Sequence, residues 1–139
     1  LVRNVGASCS STMNSASIIG AVLGASGSTN VADQSLSLDA HDLPLNKWSY
    51  FLMSQSQAFV PLFGGSQGNL CVGTPQIRFS GNVLNTGPGD LTFAPDFNNL
   101  PQNLMFQPGD TWNFQLWFRD NFTAPTSNTT NGVSVTFCQ

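Results

Sequence analysis

Hydrophobic and polar residues alternate with a period of two in several short runs of this chain, most clearly in Thr111–Arg119, TWNFQLWFR. Successive side chains of a strand point to opposite faces. Trp112, Phe114, Leu116 and Phe118 therefore share one face, which predicts a core, and Asn113, Gln115, Trp117 and Arg119 share the other. An aromatic side chain on an otherwise polar face marks contact with a ligand or another chain. In the last run, Val133, Val135 and Phe137 point one way and Ser134 and Thr136 the other. Related patterns predict strands near Ser17–Leu23, Ser35–Ala40, Trp48–Ser54, Leu70–Val72, Gln76–Ser80 and Leu91–Phe97. Between them stand strong breakers such as Gly64-Gly65-Ser66-Gln67-Gly68-Asn69, Gly87-Pro88-Gly89-Asp90 and Gln107-Pro108-Gly109-Asp110. Apolar residues at three- and four-residue spacing are scarce, so helices are not expected. The pattern predicts an all-β chain: a single antiparallel β-sandwich or jelly-roll-like domain over residues 9–139, preceded by an extension over residues 1–8.

Composition adds a compartment and removes several partners. Charged residues make up 8% of the 139 residues, where roughly 25% is usual for soluble domains. There is no Glu and a single Lys, Lys47, while Ser, Thr, Asn and Gln together supply 50 residues. Near-neutral surfaces of this kind tend to associate, which makes further copies of the chain a candidate partner. A net charge of −3 argues against nucleic acid, whose phosphates need clustered Lys and Arg. No apolar run approaches the roughly 18 residues of a membrane span. The start at Leu1 rather than Met predicts a processed product or an excised piece.

Three cysteines, Cys9, Cys71 and Cys138, match no zinc spacing, and the single His41 excludes the usual mixed Cys/His sites. An oxidising compartment would give one bridge and one remaining thiol, free or joined to a neighbouring chain. Two sequons begin at Asn121 and Asn128.

Candidate chemistry is sparse. A Ser-His-Asp arrangement would have to use His41 with Asp39 or Asp42, and no serine stands in a nucleophile-elbow context. No spacing among the seven Asp residues selects a carboxylate pair for glycoside hydrolysis. The Gly64–Gly68 segment lacks the Lys-Ser/Thr ending of a phosphate loop and reads as a demanding turn. Asp90, Asp96, Asp110 and Asp120 fall near strand ends, where a structural calcium ion would be held; no other cofactor or metal is expected. Arg78 and Arg119 interrupt or end apolar strands, so structural ion pairs with Asp96 and Asp120 are expected. Trp117 has three readings: packing within the domain, a contact between chains, or a sugar-stacking platform. In the last, Asn113, Gln115 and Arg119 would be its hydrogen-bonding partners and Trp48 an alternative platform.

The combination of NLCVG within FGGSQGNLCVG, DLTFAPDFNNLP, FQPGDTWNFQLWFRD and VSVTF resembles an uncharacterised module near the C-terminal ends of large secreted bacterial proteins. Its corresponding stretches read close to GSQGNLCLG, PGETWNFQxWxRD and VSVTF, and the resemblance covers about Cys9 to Phe137. It implies a secreted or surface β-rich domain, and it carries over no catalytic residues. By the same resemblance Cys9–Cys71 is the preferred bridge, with Cys138 left over as a free or intermolecular thiol. The rival is Cys9–Cys138, because first and last strands of a sandwich are often neighbours. Leu1, Val2, Arg3, Asn4 and Val5 lead into the module as a candidate donor strand for the next subunit's sheet edge.

The expected function is a non-enzymatic extracellular structural or adhesive module, with self-assembly into a filament or surface layer as one form of it. A carbohydrate-binding module that meets cell-surface glycans through an exposed Trp is the alternative. A hydrolase would need an acid, base or nucleophile arrangement that no spacing supplies.

Overall fold

The computed structural model describes residues 5–139, with side chains described from Cys9 onward. The strands are β1 (Val5–Cys9), β2 (Val22–Ser26), β3 (Ser37–His41), β4 (Trp48–Ser54), β5 (Gln57–Pro61), β6 (Asn69–Val72), β7 (Ile77–Arg78), β8 (Leu84–Asn85), β9 (Leu91–Phe93), β10 (Thr111–Phe122), β11 (Ala124–Thr129) and β12 (Gly132–Thr136). Helical structure among the described residues is limited to single 3-10 turns at Val31–Asp33, Phe63–Gly65 and Pro101–Asn103. The chain is all-β, and its sheets are antiparallel.

The larger sheet has the order β1-β12-β10-β4-β7, with β11 beside the second half of β10 and β8 beside the first half of β4. A three-stranded sheet, β2-β3-β9, faces it across one core. The inward phases of the strands supply that core: Leu23 from β2, Leu38 and Ala40 from β3, Phe51 and Met53 from β4, Phe114, Leu116 and Phe118 from β10, Val133 and Val135 from β12. Seven strands against three leave part of the larger sheet uncovered. The loop between β9 and β10 fills this space with Phe97, Leu100 and Phe106, all buried. Phe106 stacks on Phe137 at 4.5 Å between ring centroids and meets Trp112 edge-on. Burying each such ring is worth about 2–3 kcal/mol relative to leaving it in water.

Several expected boundaries change: β7 covers only Ile77–Arg78, β9 ends at Phe93 and β10 continues to Phe122. The apolar run SIIGAVL does not begin a strand at Ser17; β2 starts at Val22. The Asn14 side chain accepts from the backbone N–H groups of Ala16 and Ser17 and folds that segment into a turn. Ile18 and Ile19 are left exposed on it. The division at residues 8 and 9 falls inside β1, which pairs with β12 from Val5 to Cys9. Leu1, Val2, Arg3 and Asn4, the rest of the expected donor strand, lie outside the described residues. Val5 itself is paired with Val135 of its own chain.

Candidate functional site

The outer face of β4 and β10 carries Trp48, Tyr50, Leu52 and Ser54 beside Asn113, Gln115, Trp117 and Arg119. Asn113 lies opposite Ser54, Gln115 opposite Leu52 and Trp117 opposite Tyr50. This face is divided in two.

Over its first half lies the β5–β6 hairpin. Gln115 is fully buried beneath it. Its Oε1 accepts from Cys71 N at 2.9 Å, and its Nε2 donates to the carbonyls of Asn69 and Thr130, each at 2.7 Å. Asn113 is equally enclosed: its Nδ2 donates to Ser54 O at 3.0 Å, and its Oδ1 accepts from Gln57 Nε2 at 3.1 Å and from the Ser134 hydroxyl. The expectation that Asn113 and Gln115 contact a ligand is therefore corrected. Both amides hold a strand pair onto the sheet by replacing the water that backbone groups would otherwise need. The bridge Cys9–Cys71, with Cα atoms 5.7 Å apart, ties β6 to β1. Gly68 permits the close approach, since a Cβ there would lie 2.7 Å from the backbone nitrogen of Thr129.

The second half remains open. Trp117 is half-buried, with its ring stacked on Tyr50 at 5.0 Å and the Arg119 guanidinium 5.0 Å from its centroid. Its own domain thus supplies two of its neighbours and holds the ring as a fixed wall. Trp48, two residues along β4 on the same side as Tyr50, is 58% exposed. Arg78 of β7 stands opposite Leu52 and points outward, while its neighbours Ile77 and Phe79 are buried. Arg78, Leu52 and Gln76, with Phe63 and Leu70 from the hairpin, bound a groove of about 260 Å³ floored by Tyr50 and Trp117, and Trp48 and Arg119 lie outside its lining.

The ion pairs expected between Arg78 or Arg119 and Asp96 or Asp120 do not form. Among the described residues no Lys or Arg side chain lies within ion-pair distance of a carboxylate, and the one close contact of this kind is His41 Nδ1 at 3.2 Å from Asp42 Oδ2. Both arginines lie on the solvent side of their strands, so no buried charge demands a partner. Asp120 does face inward, and hydrogen bonds replace a cation: it accepts from the backbone N–H groups of Ser15 (3.0 Å) and Asn121 (2.8 Å) and from the Ser15 hydroxyl. Asp120→Ala is expected to lower the unfolding free energy by about 1–3 kcal/mol. The loss should be the same in low and high salt, because no ion pair is removed; urea unfolding at two ionic strengths checks this.

The remaining candidates are dispersed. His41 is exposed at the end of β3. Asp96 and Asp110 accept backbone N–H groups of Asn98 and Gln107 within their own turns, and Asp90 is exposed. Among the described residues no group of three or more His, Cys, Asp or Glu side chains converges on a metal position. Cys138 is a free, exposed thiol beside Thr29. Of the two sequon asparagines, Asn121 is exposed, whereas Asn128 is buried and donates to Met13 O.

Tyr50 and Gln76 escaped the sequence reading. The phase of β4 contains the signal for Tyr50, since a residue between buried Ser49 and Phe51 must face outward with Trp48. Gln76 and the amides beyond it had no local signal.

Comparison with protein-family models, with curated proteins and with solved structures returns no match to this chain. Fold and site together define an all-β protein whose larger sheet carries an open aromatic strip. It contains a disulfide, and among the described residues no helix is long and apolar enough to cross a membrane.

Proposed function

We propose that this chain is a non-enzymatic extracellular adhesive module that holds a carbohydrate on the outer face of its larger sheet. The observation that carries this reading is the aromatic strip of Trp48, Tyr50 and Trp117, left open where the rest of the same face is covered. Sugar rings present flat C–H faces that pack on aromatic rings, and their hydroxyls need donors and acceptors at the rim. Arg78, Arg119 and Gln76 supply these. The disulfide favours an oxidising, extracellular setting, as does the resemblance to a secreted module. Donor-strand exchange through residues 1–5 does not enter the proposal, because Val5 already pairs within its own chain.

Trp48→Ala is expected to weaken glycan binding by about tenfold or more, as loss of an exposed aromatic platform does. The melting temperature should hardly change, because the side chain is largely exposed. A glycan array followed by calorimetric titration of the best ligand measures this. Undiminished binding by the variant would exclude the strip as the site.

A further inference from the structure

We infer that the carbohydrate held on this face is an acidic oligosaccharide, its carboxylate taken by Arg78, running from the Tyr50–Trp117 groove into the adjoining amide-lined cleft. This rests on the reading of the face as a carbohydrate site and specifies its ligand. Arg78 and Gln76 line both cavities, so the two are successive parts of one surface path. The second cavity, of about 740 Å³, lies between the Ser80–Asn82 turn and the 3-10 turn at Pro101–Asn103. Its rim presents Asn82, Asn99, Gln102 and Asn103, all exposed. Gln102 and Asn103 hold positive φ angles of 59° and 55°, a backbone state that non-glycine residues seldom adopt.

Charge selects the ligand class. Among the described residues Arg78 is the single charged residue lining either cavity, and no acidic side chain pairs with it. A guanidinium with its fork free takes a carboxylate through two parallel charge-assisted hydrogen bonds, a contact that a neutral sugar cannot make. The surrounding amides recognise hydroxyls without adding charge. A chain with net charge −3 repels a dense polyanion. One isolated carboxylate at Arg78, as in a uronate-bearing oligosaccharide, is the chemistry that satisfies both conditions.

The full chain is tested on an array of neutral, uronate-bearing and densely sulfated glycans. The best uronate-bearing ligand is then titrated, as the free acid and as its methyl ester, against wild type and Arg78→Gln. Binding is expected for uronate-bearing glycans, with the ester and the R78Q change each lowering affinity about tenfold. The two losses should not add, since both remove the same contact. R78Q should leave the melting temperature unchanged, because the side chain is exposed. Equal affinity for acid and ester, a preference for neutral or densely sulfated glycans, or full binding by R78Q would overturn the acidic assignment while leaving a carbohydrate site standing. Absence of binding to every glycan would overturn the site and the assignment together.

Discussion

Gln115→Leu is expected to lower the unfolding free energy by about 3–5 kcal/mol, although leucine has a similar volume and a better reputation in a core. The reason lies in what the amide faces. Its carbonyl receives Cys71 N, and its amino group meets the oxygens of Asn69 and Thr130, all in a fully buried position. Leucine would leave the N–H of Cys71 and the carbonyl of Thr130 without this partner, and a dry unpaired group costs about 1–3 kcal/mol. Asn69 is better protected, because its carbonyl also accepts from the Thr129 hydroxyl at 2.8 Å. Gln115→Glu should be at least as damaging, since it would place an acceptor oxygen where the amino group now donates to two carbonyls. Urea midpoints of the three proteins provide the measurement. A loss under about 1 kcal/mol for both variants would mean that the β5–β6 hairpin is not held to the sheet through this residue.

Removing the Cys9–Cys71 bridge as Cys9→Ala with Cys71→Ala is expected to cost about 4 kcal/mol, from the chain-entropy relation applied to its sequence separation of 62 residues. The bridge restricts the unfolded chain, and in the folded state it joins the first strand to the strand that covers Gln115. Comparison in a Cys138→Ser background avoids exchange with the free thiol. Cys138→Ser alone should change stability by no more than about 0.5 kcal/mol, because that residue is exposed. An unchanged denaturant midpoint for the double alanine variant would show that the hairpin and the first strand are held in place without the bridge. Together the amide and the bridge are what divide the outer face into a closed half and an open one.

That division marks where sequence reasoning reaches its limit in this protein. The alternation in Thr111–Arg119 correctly assigns Trp112, Phe114, Leu116 and Phe118 to the core, whereas Trp48–Ser54 is apolar on both phases and only the folded sheet places Phe51 and Met53 inside. Strands β5 and β11 carry no comparable pattern: QAFVP contains a proline and APTSNT is almost wholly polar. Their pairing comes from neighbours, not from their own periodicity. The glycines of GGSQGN announce a demanding turn, yet the reason Gly68 is needed, the backbone of Thr129 beside it, lies about sixty residues further on.

Arg78 and Arg119 interrupt apolar strands in a way that suggests buried ion pairs, and only their outward phase in the assembled sheet removes that requirement. Asp120 shows the converse, being buried and satisfied by Ser15, which is 105 residues away in the chain. Asn113, Gln115, Trp117 and Arg119 share one face, and nothing in their own segment separates the first two from the last two. A buried amide bonded to backbone and a solvated one are the same letter. The pleat makes the choice of face a local property, readable from every second residue. What covers that face depends on a hairpin brought in from far along the chain, so the open strip around Trp117 exists only in the folded molecule.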